Sequence, residues 1–167
     1  MLPRLARLIL VVLALSACFS PAPDIKVIEP AEWAAVLEDH RGAPVAINVW
    51  ANWCRSCMEF LPSFVGLPGG SGYGDIEFVS VVVEDPADGA ALTQAKRLVL
   101  ELDARFPHFA ITADVEETLG LLGVDDLPAV LIYDAEGRLR HHIKVDAFDG
   151  EIHPEDVEDA LDSVLAK

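Results

Sequence analysis

The nearly continuous apolar run Val45-Ala46-Ile47-Asn48-Val49-Trp50 is followed at once by Ala51-Asn52-Trp53-Cys54-Arg55-Ser56-Cys57 and then by a helix-like stretch. This order constrains the fold more than any other feature of the chain. An apolar run of this length suits a central strand buried on both faces. A cysteine at the start of the following helix meets unpaired backbone N–H groups and the positive end of the helix dipole, so its thiol ionises more readily than that of free cysteine. Cys57, nearly one turn further on, is near enough to attack a mixed disulfide at Cys54 and release it as an intramolecular disulfide. Two other uses of the pair are a zinc half-site and a purely stabilising crosslink. Zinc wants four ligands, and the chain has no second cysteine pair. The two-residue spacer closes so small a loop that the bond removes little chain entropy. A strand before the pair and a helix after it favour dithiol exchange.

The N-terminus carries Arg4 and Arg7, an apolar run from Leu8 to Leu15, and then Ser16-Ala17-Cys18. This is the layout of an export signal, and it is short for a membrane span. The tetrad Leu15-Ser16-Ala17-Cys18 resembles the bacterial lipobox, in which the cysteine is lipidated and becomes the first residue after cleavage. An ordinary signal peptide cut nearby and an uncleaved anchor are the alternatives, and all three place the folded part outside the cytoplasm. The expected organisation is a signal over residues 1–17, a tether over 18–24 and one domain over 25–167. The formal net charge is −16, and loss of the basic signal makes the remainder more acidic still. That argues against nucleic acid as a partner and against attraction to anionic lipid headgroups. With Cys18 acylated, only Cys54 and Cys57 remain, so no disulfide framework of the small secreted kind is available.

Along the chain, Asp24 to Ile28 reads as a short strand, and Pro30 opens a helix with Trp33, Val36 and Leu37 on one face. The cysteine pair opens a helix over about 55–66 with Pro62 inside it. Residues 66–74 are glycine-rich loop, and 76–83 a buried strand. Asp85-Pro86 reads as an N-cap followed by proline at the first helical position, before a helix with Leu92, Ala95, Leu98, Val99, Leu102 and Phe106 on one face. A short helix around 115–122 follows. Strands 129–133 and 138–145 flank a turn at Asp134-Ala135-Glu136-Gly137, and Pro154 opens a last amphipathic helix. The class is α/β, with a mostly parallel sheet, helices on both faces and an antiparallel edge.

Taken together, Asn48 to Cys57, Pro62 five residues beyond the second cysteine, and the segment from Gly123 to Gly137 resemble the thioredoxin-like superfamily, in its TlpA-like branch of membrane-tethered thiol-disulfide oxidoreductases. The resemblance covers roughly residues 25–167. It implies a thioredoxin-like fold, with a mixed central sheet, an N-terminal extension and an inserted helix-strand unit over residues 86–122. It carries a cis proline onto Pro128, with the backbone of Leu127 left free to pair with an extended substrate segment. Asn48 stands where classical thioredoxins place a buried acid. Glu59 lies two residues after the second cysteine rather than three, which turns it by about 100° from the branch's usual glutamate. Glu84 and Asp85 are the candidate substitutes, although capping explains Asp85 more simply. Arg55 adds a positive charge that should favour thiolate. Trp50 is expected in the core, and Trp53 partly exposed beside Cys54 as part of the substrate surface. His141 is expected half-buried on one face with Leu139, Ile143 and Val145. His40, His108 and His153 form no ligand spacing.

The resemblance implies an extracytoplasmic disulfide reductase. Cys54 attacks, Cys57 resolves, the substrates are protein disulfides, and a membrane electron donor of thiol-disulfide type recharges the pair. Cytochrome c maturation or the upkeep of other exported thiols is the implied role. No cofactor or metal is expected. A thiol oxidase or isomerase is the first alternative. A copper-binding lipoprotein using the two thiolates is the second.

Overall fold

The computed structural model describes residues 22–166 except 71, 86, 147 and 149. The signal, most of the tether, Cys18 and Pro86 therefore lie outside the described residues. The elements run β1 (Ile25–Ile28), α1 (Trp33–Asp39), β2 (Val45–Trp50), α2 (Arg55–Gly66), β3 (Glu77–Val82), α3 (Gly89–Glu101), β4 (His108–Ile111), α4 (Val115–Leu122), β5 (Ala129–Tyr133), β6 (Leu139–Lys144) and α5 (Pro154–Leu165). Short 3-10 turns precede α1 at Pro30–Glu32 and follow α2 at Leu67–Gly69.

One sheet of order β1-β4-β3-β2-β5-β6 organises the chain. Pairing is parallel from β1 to β2 and antiparallel from β2 through β6. β2 lies between a parallel and an antiparallel neighbour, and all six of its residues are buried. Side chains alternate across a strand, so β2 feeds two cores. Ile47 and Val49 join Val79, Val81 and Leu131 against Trp33 and Val36 of α1 and Ala95 and Val99 of α3. Ala46 joins Phe78, Val130 and Ile132 against Phe60 and Phe64 of α2 and Val157, Leu161 and Val164 of α5. This is the sandwich expected from the apolar runs, and it holds the C-terminal end of β2 rigid from both sides.

Caps set the helix starts. Asp114 accepts the N–H of Glu117 at 2.8 Å to open α4, and Gly123 closes that helix with φ 68°, a left-handed conformation that glycine adopts without cost. α3 starts later than expected. The Asp88 carboxylate accepts the N–H groups of Ala90 (3.0 Å) and Ala91 (3.1 Å), whereas the Asp85 carboxylate accepts the N–H of Ala87. The cap is therefore Asp88, because its carboxylate meets the first free N–H groups of the helix while Asp85 serves its own turn. A register shift between Ile132 and Tyr133 also alters β6. His141 pairs with Ile132, facing the α5 core and Ser163, while Leu139 pairs with Tyr133 on the opposite side and is exposed. The expected grouping of Leu139 with His141 fails because the bulge inserts one residue between them.

In the β5–β6 turn, Asp134 accepts the backbone N–H groups of Glu136 (3.1 Å) and Arg138 (3.0 Å) and the Arg138 guanidinium (2.9 Å). Burial opposes its charge, but the Arg138 backbone N–H and guanidinium outweigh it and hold the carboxyl at about 2. The folded value lies below that of an unfolded Asp, about 3.9. Its stabilisation is therefore complete above about pH 4 and is lost as pH falls through about 2. Asp134→Asn is expected to flatten this part of the acid unfolding profile. A melting curve series from pH 2 to pH 4 that has the same slope in both proteins would contradict it.

Candidate active site

The site forms where β2 ends. Trp50 accepts the N–H of Val83 through its carbonyl, and the carbonyl of Ala51 accepts the N–H of Cys54, so the chain turns sharply out of the sheet and into α2. Cys54 is the N-cap of α2, and its Sγ accepts the backbone N–H of Cys57 at 3.1 Å. The two sulfurs are joined in a disulfide. Cys54 retains 7% of its surface and Cys57 none, so Cys54 presents the sulfur that an incoming group can reach. In the reduced protein the same N–H and the helix N-terminus would stabilise a thiolate at Cys54.

Beside the pair, Trp53 is 59% exposed while Trp50 is fully buried. The Leu127–Pro128 peptide bond is cis. The β2–β5 register ends at Val49 opposite Ala129, so Pro128 and Leu127, one and two residues further, fall beside Trp50 and Ala51. Leu127 shares a core cluster with Cys54 and Cys57. One detail departs from expectation. The N–H of Leu127 is not free, because it donates to Oδ1 of Asp126 at 2.8 Å. An aspartate side chain is short enough to reach the next main-chain N–H in a bend of this kind.

Arg55 differs as well. Its guanidinium pairs with Glu59 at 2.9 Å, with its side chain 92% exposed. Its charge is matched in solvent and screened there, so the expected help to the thiolate is largely spent on Glu59. Glu84 takes a clearer part. It is 8% exposed, and its Oε1 accepts the N–H of Asn52 at 2.6 Å, two residues before Cys54. Burial pushes its carboxyl up, the Asn52 N–H pulls it down, and Asp88 pushes it up again, with a net rise. The Asn52 side chain donates to the carbonyl of Ala91 at 2.7 Å. Glu84 and Asn52 thus tie the redox loop to β3 and α3.

A buried polar chain lies on the sheet behind the site, and no local motif marks it. Trp50 Nε1 donates to Ser80 Oγ at 3.2 Å, and Ser80 Oγ lies 2.6 Å from His108 Nδ1. His108 Nε2 lies 2.9 Å from the carbonyl of Ala104. That carbonyl can only accept, so Nε2 carries the proton and Ser80 donates to Nδ1. Burial pushes His108 down, against the pull of the Ala104 carbonyl, which favours this neutral form. Ser80 and His108 meet only through the register of β3 on β4. Asn48, opposite Ser80 on β2, is fully buried, and its amide has no protein hydrogen-bond partner among the described residues. A cavity bounded in part by His40, Glu77, Arg105 and Pro107 lies at the N-terminal ends of β3 and β4, at the far end of the sheet from the dithiol.

Comparison with known proteins agrees with this geometry. No family model matches the chain. It is 30% identical over 124 residues to the thiol:disulfide interchange protein DsbE of Pseudomonas aeruginosa, a match spanning 74% of this chain and 63% of that protein. It is 27% identical over 147 residues to the thiol-disulfide oxidoreductase ResA of Geobacillus thermodenitrificans, spanning 87% and 76%. Its fold is similar to the crystal structure of an exposed lipoprotein thioredoxin from Streptococcus pneumoniae, with TM-score 0.56 and 23% identity over 76% of this chain and 89% of that one. In sequence the chain is similar to thiol-disulfide oxidoreductases, and in fold to thioredoxin-like proteins. Among the described residues no helix is long and apolar enough to cross a membrane.

Proposed function

We propose that the protein is an exported, lipid-anchored disulfide reductase. The Cys54 thiolate attacks a substrate disulfide. A bond forms between Cys54 and one substrate sulfur as the substrate S–S bond breaks, and the leaving sulfur takes a proton. Cys57 loses its proton and attacks the Cys54 sulfur, which restores the intramolecular disulfide and releases the second substrate thiol. Two electrons pass to the substrate, and a membrane donor of thiol-disulfide type returns two to the protein. The observation that carries this reading is Cys54 at the helix N-cap, accepting the Cys57 N–H and less buried than its partner.

Trp53, Leu127 and Pro128 form the surface that receives the substrate, with Pro128 setting the loop beside the sulfurs. Export and the anchor at Cys18 rest on the basic and apolar N-terminus and on the lipobox-like tetrad. The reducing direction, and service to cytochrome c haem-site cysteines or other exported thiols, rest on the resemblance to the TlpA-like branch and on relatives named DsbE and ResA. Direction is tested by equilibrating the protein with glutathione of known ratio. A reductase should sit near the thioredoxin level of about −270 mV, whereas a value near about −120 mV would make it an oxidant.

A further inference from the structure

The hydrogen bond between Asp126 and Leu127 has a consequence for which disulfides this protein accepts. A substrate chain that lies beside Leu127 as an added strand needs the Leu127 N–H as a donor. In the free protein that donor is taken by Oδ1 of Asp126 at 2.8 Å, a bond to a charged acceptor and therefore stronger than the neutral amide contact that would replace it. The carboxylate stands exposed at the rim, while Leu127 behind it is buried. The cations of Lys144 and Arg55 are committed to other carboxylates. Lys144 holds Asp125 at 2.7 Å, and Arg55 holds Glu59 at 2.9 Å. Asp126 itself has no ion-pair partner among the described residues.

We propose that Asp126 is a specificity-determining residue that occupies the substrate's place on Leu127 and yields it to disulfides flanked by Lys or Arg. A cationic side chain next to the substrate cysteine gives the carboxylate a new partner as it leaves the Leu127 N–H, so the displacement exchanges one charge-assisted contact for another. A neutral segment must break the Asp126 bond without that return. An acidic one must also approach a carboxylate of like charge. The inference rests on the dithiol-exchange reading above.

The test uses the pre-reduced full chain in single turnover, followed by loss of protein thiols. Its probes are hydroxyethyl disulfide, which is too small to pair as a strand, and two disulfide-linked peptides that differ only in Lys or Glu beside the cysteine. Each peptide rate is divided by the rate with hydroxyethyl disulfide, which corrects for any change in the sulfur's own reactivity. The wild type should favour the Lys peptide by about tenfold, and this preference should shrink as salt is raised. Asp126→Asn keeps an acceptor for the Leu127 N–H but no charge, and should lose most of the preference. Asp126→Ala should lose the preference and also raise the corrected rate with the Glu peptide several-fold. Loss of preference in both variants assigns it to this carboxylate rather than to the protein's overall negative charge. A wild type inert toward hydroxyethyl disulfide overturns the exchange reading and this one with it. A reactive wild type whose peptide preference survives Asp126→Ala overturns this inference alone.

Discussion

Cys54→Ser is expected to lower insulin-disulfide reduction by about three orders of magnitude or more, to the rate of the uncatalysed mixture, because it removes the only sulfur of the pair that reaches solvent. A serine hydroxyl at the same cap can still accept the Cys57 N–H, so α2 should keep its start and the protein its fold. The loss is therefore chemical and not structural. Cys57→Ser should behave differently. Cys54 remains able to attack, but no neighbouring thiol releases the product, and mixed disulfides should accumulate until external thiol is added. Gel shifts under non-reducing conditions read both results. An active Cys54→Ser protein, or a Cys57→Ser protein that traps nothing, would reverse or remove the assigned roles.

Phe64→Ala is the substitution with the largest expected cost to stability outside the sulfurs. Phe64 is fully buried two turns along α2 from Cys57. Its ring meets Phe78 edge-on at 5.7 Å and Phe106 at 5.8 Å, with Phe60 at 6.3 Å. Truncation removes most of an aromatic ring's buried area and leaves a cavity walled by three other rings, a loss of about 3–5 kcal/mol. The urea midpoint should fall by more than about 1 M with little change in slope. Phe64→Leu, which retains much of the volume, should cost markedly less. A Phe64→Ala protein within about 1 kcal/mol of the wild type would show that α2 is not held to the sheet by this contact.

The sequence was most legible where local chemistry and burial agree. The limits of α2 follow from a cysteine cap and from an apolar pattern that faces the sheet, and the hairpin follows from Asp134 and Gly137 at the positions its turn requires. Interactions that close across long stretches of chain were not legible. Ser80 and His108 are 28 residues apart, and Asn52 and Glu84 are 32 apart. Each pair exists only because a particular strand register brings it together. The Asp126 side chain on the Leu127 N–H was local, yet it was hidden because an Asp in a loop has several backbone partners within reach. Asp85 drew the cap assignment because an acid before a proline fits a helix start, while Asp88 three residues later meets the actual free N–H groups.

All of this depends on α2 presenting Cys54 as a readily formed thiolate, and the most direct measurement is the rate of iodoacetamide alkylation of Cys54 in the reduced protein as a function of pH, with Cys18→Ser and Cys57→Ser together isolating the one thiol. The account predicts a rate that reaches half its plateau below about pH 7.5, within the range of thiols held at helix N-termini. A curve that follows free cysteine, with its midpoint near about pH 8.5, would contradict it.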